Sequence, residues 1–331
     1  MSALIEIDNL TKRFDSFTAV DDLSLSVDRG EVLGFLGPNG AGKSTTMKMV
    51  TGFLEPTSGA VHIAGHNMAT SPVLAKRHLG YLPEGAPSYG DMTPKAFLEF
   101  VARVRGFDGE QRRRRVDQAA DQCELGKVLT QPIDTLSKGF RRRVGLAQAI
   151  IHQPEVLILD EPTDGLDPNQ KRHVRRLISD MAASTAIIVS THILEEVDAV
   201  CSRAVIVNRG RIVLDDTPRN LLARATDFGS LTLVTDAALA HDACGAIASL
   251  TEVQGVNARI GRDGAVRLEI SSAAGKDATP AVAALFREKN WPVHELRTND
   301  GSLDSVFWAA TEGPSEAAGV ALDTGESAAN G

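Results

Sequence analysis

A glycine-rich loop between a buried strand and a helix constrains this chain more than any other feature. Residues 37–44 have the sequence GPNGAGKS, which matches the pattern G-x-x-x-x-G-K-[ST]. The apolar run EVLGFLG leads into the loop, and TTMKMVTGF follows it as a helix. Glycines allow successive backbone N–H groups to turn inward around phosphate oxygens, and the helix points its positive end at the same anion. The pattern therefore predicts a phosphate-binding turn inside an α/β domain.

The loop also carries the side chains that a phosphate site needs. Lys43 supplies a point charge to the β- and γ-phosphates of a nucleotide, and Ser44 supplies a hydroxyl to Mg²⁺. The residues of the loop and first helical turn that we predict to bind nucleotide are Gly37, Pro38, Asn39, Gly40, Ala41, Gly42, Lys43, Ser44 and Thr45.

Two carboxylates follow a second buried strand. The strand VLILD (156–160) ends at Asp160, and Glu161 comes directly after it. Asp160 is predicted to hold Mg²⁺ through its water shell, and Glu161 is placed to orient and deprotonate an attacking water. An acidic pair at a strand end also occurs as a simple helix cap. Its combination with the phosphate loop and with PTDGLDP directly afterwards favours the hydrolytic interpretation.

Strands and helices alternate through residues 1–224, which predicts a mainly parallel α/β sheet with TAIIVS (185–190) as a further buried strand. Residues 87–150 have helical spacing, with Thr93 as cap and Pro94 in the first turn, and form a helical insert in this P-loop NTPase sheet domain. The third helix of the insert is expected to start near Arg141.

Residues 225–311 follow the order βαββαβ and then one more helix, which predicts a small α+β, ferredoxin-like domain. We expect the final helix, SLDSVFWAAT, to dock on the small sheet. Residues 312–331 lack aromatic residues and periodicity, which predicts a disordered tail. Because every phosphate motif precedes Leu222, a chain cut there is expected to keep nucleotide binding.

Composition excludes several classes of function. The net charge of -8 argues against broad electrostatic binding to nucleic acid. The cysteines, Cys123, Cys201 and Cys244, form no CxxC pair, which fits a reduced compartment and disfavours a zinc site or disulfide framework. We expect neither a signal peptide in MSALIEIDNLTKRF nor a membrane-spanning segment, because no apolar stretch is long enough.

These motifs together resemble the nucleotide-binding domain of ABC transporters over about residues 3–222. LSKGF (136–140) stands where that family has LSGGQ: Ser137 and Gly139 match it, whereas Lys138 and Phe140 depart. The resemblance implies ATP and Mg²⁺ as cofactors. It also implies that the helix end at Ser137 caps the γ-phosphate of the ATP held by a second copy of the chain.

The resemblance assigns further residues. Asp167, in GLD, lies in the loop that communicates across the dimer, and His192 matches the switch histidine that contacts the γ-phosphate. Phe14 resembles the aromatic residue that stacks on adenine, and Phe17 is the competing choice for that role. The alternative is that both rings belong to the core. Glu84 stands where the family has a glutamine, so it is assigned to Mg²⁺ through water and to the nucleotide site; the alternative is that Glu84 merely begins a loop.

The resemblance is strongest to export-type ATPases of the gliding-motility and multidrug kind. It implies a cytoplasmic subunit, peripheral on the inner face of the membrane, that acts on a separate permease through the surface near residues 84–105. A soluble ATPase working on ribosomes or DNA is the rival, but such relatives carry two of these domains or long coiled coils. A regulatory binder without hydrolysis would lack Lys43 or Glu161, and both are present.

Overall fold

A computed structural model describes residues 3–85, 89–225, 228–261, 264–274, 276–299 and 301–312. These residues form three β-sheets with helices around them. The tail predicted to be disordered lies outside the described residues apart from Glu312, which is the last residue of a helix.

The bounds of the elements follow the chain. The strands are β1 (Ile5–Phe14), β2 (Phe17–Val27), β3 (Val32–Leu36), β4 (Ser58–Ile63), β5 (His66–Asn67), β6 (Leu79–Leu82), β7 (Val156–Asp160), β8 (Ala186–Ser190), β9 (Arg203–Asn208), β10 (Arg211–Asp216), β11 (Leu231–Asp236), β12 (Val253–Ile260), β13 (Ala265–Ser272) and β14 (Glu295–Thr298). The helices are α1 (Lys43–Val50), α2 (Pro72–Arg77), α3 (Pro94–Val104), α4 (Gly109–Gln122), α5 (Lys138–Ile150), α6 (Pro168–Ala182), α7 (Leu194–Val200), α8 (Pro218–Leu222), α9 (Ala240–Ala248), α10 (Thr279–Glu288) and α11 (Leu303–Glu312).

The central sheet brings the predicted motifs together. Its strand order is β10-β9-β3-β8-β7-β6, and all neighbouring pairs are parallel except β9 with the edge strand β10. Every residue of β3, β7 and β8 is buried, as their unbroken apolar sequences predict. The carboxyl ends of parallel strands meet at one edge of a sheet. The phosphate loop, the Asp160–Glu161 pair and His192 therefore emerge at the same edge.

The helical insert is present. Helix α3 begins where predicted, since the Thr93 hydroxyl accepts from the Ala96 N–H at 3.2 Å and Pro94 lies in the first turn. Helix α5 starts at Lys138, earlier than the predicted Arg141, because the Ser137 side chain accepts from the Phe140 N–H and caps the helix there. A second sheet, of order β2-β1-β4-β5, is antiparallel and packs its apolar residues against the central sheet.

The C-terminal sheet has the predicted ferredoxin-like order. Its strands lie as β12-β13-β11-β14, all antiparallel, and α9 and α10 connect them in the βαββαβ sequence. The two helices share a separate apolar core with one face of this sheet; its members include Leu233, Ile247, Leu268, Val282 and Phe286.

The expected position of the last helix is wrong. Leu303 and Val306 of α11 lie in the large core around the central sheet together with Leu221 of α8, and α11 contacts α8 and β9. The physical reason lies in the small sheet: α9 and α10 already cover its apolar face, and its other face carries polar residues such as Arg267. The apolar stripe of α11 therefore packs on the larger domain. Within the described part of the chain, no helix combines the length and the apolar character that crossing a bilayer requires.

Candidate active site

The phosphate loop encloses a cavity of about 220 Å³. Gly40 and Gly42 adopt left-handed backbone angles, with φ of 82° and 103°. A Cβ on Gly42 would lie only 2.4 Å from the Ala19 carbonyl oxygen, so the loop requires glycine there. The residues that line the cavity are Phe17, Ala19, Pro38, Asn39, Gly40, Gly42, Lys43, Ser44 and Thr45. The structure thus brings most of the predicted loop residues around one opening; Gly37 and Ala41 lie behind it, buried.

The Lys43 ammonium group is held inside the loop. Its Nζ donates to the Gly37 carbonyl at 2.6 Å and to the Pro38 carbonyl at 3.2 Å. Burial lowers the pKa of Lys43, although the carboxylates of Glu161 and Asp160 oppose that shift. The charge therefore lies where phosphate oxygens would displace the two carbonyls as its partners.

Three carboxylates share the edge of the sheet beside this lysine. Asp160 is 3% exposed, and burial raises its pKa, with the charges of Glu84 and Glu161 acting in the same direction. Such a group of like charges is stabilised by a cation. Glu84 is exposed on the loop after β6, and its charge raises the pKa of both Lys43 and Asp160.

The available donors fit Mg²⁺. Asp160, Glu84 and the Ser44 hydroxyl offer oxygen atoms, which this ion prefers. Among the residues that the structure describes, no group of three or more His, Cys, Asp or Glu side chains is arranged to hold a metal ion by itself. Mg²⁺ is usually held by one or two carboxylates together with substrate phosphates and water, so the donor set suits an ion that arrives with its nucleotide.

Glu161 is held at the end of β7 by residues at the end of β8 and directly after it. Its N–H donates to the Ser190 carbonyl at 2.8 Å, and its φ of 53° is left-handed, which is unusual for a residue with a Cβ. Its carboxylate pairs with Nδ1 of His192 at 2.8 Å, and the Thr191 hydroxyl lies 3.5 Å away. The Glu161 side chain is only 13% exposed, whereas His192 is 62% exposed. The two predicted catalytic residues therefore meet, with His192 on the solvent side.

The segment LSKGF (136–140), here called the signature segment, does not line the phosphate cavity. Ser137 caps α5 and is exposed, and Gly139 is buried so closely that an added Cβ would lie 2.7 Å from Oε1 of Gln170. The departing residue Lys138 forms an ion pair with Asp164, its Nζ lying 2.8 Å from Oδ2. None of these residues lines the described phosphate cavity of their own chain.

Asp167 has a local role that the sequence did not predict. Its carboxylate accepts from the Gln170 N–H at 2.9 Å, so it caps α6. The residue is exposed. A role for Asp167 in contacts across a dimer stays a prediction.

Phe14 and Phe17 face each other across the turn between β1 and β2. They are 44% and 60% exposed, so neither ring belongs to the core. Phe17 lines the phosphate cavity, whereas the Phe14 ring lies 5.2 Å from Nζ of Lys12. Stacking of Phe14 on adenine stays a prediction, and Phe17 is a second candidate.

Sequence reasoning missed two buried groups beside the site. Glu196, 2% exposed, accepts hydrogen bonds from the hydroxyls of Thr163 and Thr191. Arg142, 4% exposed, donates to backbone carbonyls at the ends of β6 and β7. The only sequence signal for Arg142 is its place in a run of three arginines, which does not say which of them is buried.

Known proteins share these motifs. A family model described as "ABC transporter" matches residues 20–164. The protein named "Probable multidrug ABC transporter ATP-binding protein YbhF" of Escherichia coli (strain K12) is 37% identical over 225 residues, which span 68% of this chain and 39% of that protein. "Nod factor export ATP-binding protein I" of Burkholderia pseudomallei (strain 1710b) is 36% identical over 222 residues, which span 66% of this chain and 73% of that protein.

Solved structures agree with this match. An ATP-binding subunit of an ABC transporter has 31% identity and a TM-score of 0.63, covering 67% of this chain and 92% of its own. A dimeric bacterial ABC transporter cassette, at 22% identity and a TM-score of 0.61 over 65% of this chain and 98% of its own, shows the fold alone. The chain belongs to the ABC transporter family, as an ATP-binding subunit.

Proposed function

We propose that this chain hydrolyses ATP with Glu161 as the general base, and that hydrolysis powers a separate membrane subunit that exports a substrate. The observation that carries the proposal is the geometry of Glu161. The carboxylate lies one residue beyond Asp160, is largely shielded from solvent, and is paired with His192 at 2.8 Å. A water between Glu161 and the terminal phosphate would give up its proton to this carboxylate.

The other residues of the site bind and orient. Lys43 exchanges its bonds to the loop carbonyls for phosphate oxygens, and the loop N–H groups surround the same oxygens. His192 holds the Glu161 carboxylate and is itself 62% exposed, so its ring is accessible to a bound nucleotide. Mg²⁺, when bound with ATP, neutralises charge on the phosphates; Asp160, Ser44 and Glu84 are the residues that would hold it.

We infer that the working unit is a dimer of this chain. Ser137 and Gly139 do not line the chain's own phosphate cavity, while Ser137 and Lys138 at the start of α5 are exposed, and a helix N-terminus favours anions. A second copy could offer that helix end to the terminal phosphate. The fold shared with a dimeric cassette supports this arrangement.

The permease partner is proposed to bind near residues 84–105, on the cytoplasmic face of the membrane. Exposed apolar side chains gather there: Tyr89 is 56% exposed and its ring packs on Phe97 and Phe100, and Val104 is 70% exposed. Such a patch is typical of a protein–protein contact. Export as the direction of transport is supported by the Nod factor export relative.

The test is Glu161→Gln in the full chain. We expect ATP binding to persist and turnover to fall by about 10²–10⁴, the usual contribution of a general base. That loss corresponds to about 3–5 kcal/mol of barrier. The variant should collect as an ATP-bound dimer on size-exclusion chromatography, because closure no longer ends in hydrolysis.

Glu195→Gln is the matched control, since Glu195 is exposed on α7 and has no part in the site. Its turnover should equal that of the unmodified chain. Turnover by Glu161→Gln at the level of this control would refute the assignment of the base.

A further inference from the structure

A buried arginine joins three motifs of the site. Nη1 of Arg142 donates to the carbonyls of Pro83 at 2.8 Å and Glu84 at 2.5 Å, and Nη2 donates to those of Asp160 and Glu161. Each terminal nitrogen thus bonds one carbonyl pair, and the side chain is 4% exposed. Arg142 belongs to α5, so one planar group ties this helix to the ends of β6 and β7.

Arg142 gives these four carbonyls a common partner, and the Glu161 carbonyl also accepts from the Asp164 N–H at 3.2 Å. Strands β6 and β7 are parallel neighbours, with Leu82 beside Leu159, but the chain diverges beyond these residues and the ladder ends. Buried carbonyls without a partner cost free energy. The fork of a guanidinium matches two pairs of oxygens at once, which the single ammonium group of a lysine does not.

Glu161 depends most on this bond. A φ of 53° puts a residue with a Cβ in a strained region, and such conformations persist only where the surroundings hold them. β8 holds the N–H of Glu161 through Ser190, and Arg142 holds its carbonyl. With the peptide units on both sides of the Glu161 Cα held, the direction of the Glu161 side chain is set.

The helix that carries Arg142 begins at the signature segment. Arg142 lies five residues after the cap Ser137, which is about 7.5 Å along the axis of a rigid helix. Any shift of the helix end therefore moves the guanidinium, and a hydrogen bond weakens with displacements well below 1 Å. The backbone of Glu161 and of Glu84 would follow.

We propose that Arg142 is a positioning residue, which makes the alignment of Glu161 and Glu84 depend on the position of the signature helix α5. The inference rests on the proposed function of Glu161 and of the dimer. In this arrangement, engagement of Ser137 with nucleotide on a second copy aligns the base in the first. A merely structural arginine would instead support folding with no separate effect on turnover.

The experiment compares Arg142→Gln, Arg142→Lys and Arg141→Gln in the full chain. Steady-state ATPase kinetics give kcat and KM, a fluorescent ATP analogue gives affinity, and thermal unfolding shows that each protein is folded. We expect Arg142→Gln to lower kcat by about 10–100-fold, the effect of a misplacement near 1 Å. KM and analogue affinity should stay within about threefold, because the phosphate loop is untouched. Arg141 is exposed on the same helix and its variant should match the unmodified chain.

Arg142→Lys should recover part of kcat, since one ammonium satisfies some of the carbonyls. If Arg142→Gln does not fold, the test rests on Arg142→Lys. A folded lysine variant with unchanged kcat overturns the proposal. Equal losses of kcat and analogue affinity in a folded variant also overturn it, because the whole site would then have collapsed.

A further comparison tests the link to the signature. The double variant Ser137→Ala with Arg142→Lys should lower kcat by less than the product of the two separate reductions, since both residues act through α5. A reduction equal to that product overturns the link. Failure of the proposed function is recognised separately, by full turnover in Glu161→Gln. Loss of turnover in Glu161→Gln with normal kcat in both Arg142 variants overturns the role of Arg142 alone.

Discussion

Removing the Leu303 side chain should destabilise the ATP-binding domain, although Leu303 lies far along the chain from every nucleotide motif. The residue is 6% exposed and lies in the core around the central sheet, with Val306 at 3%. Leu303→Ala removes three buried carbons, worth about 0.8 kcal/mol each, or about 2.4 kcal/mol of transfer free energy. The cavity left between α11 and α8 raises the expected loss to about 3–4 kcal/mol.

The assay follows the two units separately. Release of a bound fluorescent ADP analogue on heating reports the ATP-binding domain, and its midpoint should fall by about 6–16 °C. The chain has two tryptophans, so in a Trp291→Phe background the emission of Trp308 reports docking of α11. Asp304→Ala, at an exposed position of the same helix, should change stability by less than about 0.5 kcal/mol.

One result would refute this reasoning. If Leu303→Ala leaves the temperature of analogue release unchanged and lowers only the transition of the C-terminal sheet, α11 belongs to the small domain as the sequence suggested. Coincident shifts in analogue release and Trp308 emission would instead support the packing of α11 on α8.

Three further predictions concern adenine binding, the role of Glu84 and the pH dependence of folding stability. Phe14→Ala and Phe17→Ala should each weaken binding of ATP and leave binding of inorganic triphosphate unchanged, and the larger loss in a titration identifies the stacking ring; no loss in either excludes both. Glu84→Gln should keep measurable ATPase activity, and Glu84→Ala should weaken coupling to the proposed membrane subunit; loss of hydrolysis in Glu84→Gln but not in Glu84→Ala would contradict the role of Glu84. Burial lowers the pKa of His152 from 6.5 to about 3, so the unfolded state alone takes up this proton between those values. His152 should therefore lower the free energy of unfolding by about 1.4 kcal/mol per pH unit on acidification from pH 6.5 towards 3, and in denaturant titrations His152→Gln should reduce the slope by that amount.

The phosphate loop and the acidic pair were predictable because their signals are local. Five buried residues precede each turn, and the glycines at 40 and 42 have the left-handed angles that their place in the loop requires. The meeting of Glu161 with His192 also follows from sequence, since parallel buried strands end at one edge. The choice between Phe14 and Phe17 was not predictable, because a hairpin register pairs the two rings across one turn.

Arg142 shows why sequence alone does not identify which residue in a run of identical residues is buried at the site. Arg141, Arg142 and Arg143 are neighbours on α5, yet their directions differ by about 100° per residue. Arg141 is exposed, Arg143 bonds Glu124 at 3.2 Å in the helical insert, and Arg142 alone of the three bonds the strand ends. Strands β6 and β7 are neighbours although their paired residues, such as Leu79 and Val156, are 77 positions apart in the chain. This long-range pairing determines that the middle arginine is the one that bonds the strand ends.

The last helix shows a different limit of prediction from sequence. An apolar stripe indicates that a helix is buried on one side, but it does not indicate which surface the helix packs against. α11 follows the small domain in sequence, and its stripe would suit either sheet. The structure packs it on α8 and β9, where Nδ2 of Asn208 also donates to the Thr311 carbonyl at 2.8 Å. Two residues on, the Gly210 N–H donates to the Ala41 carbonyl of the phosphate loop at 2.9 Å. A chain cut at Leu222 would therefore keep every phosphate motif and lose the cover over the turn that supports the loop. We expect the amount of nucleotide bound by such a chain to be limited by the fraction of molecules that are folded. Its affinity is therefore best compared with that of a chain ending after α11.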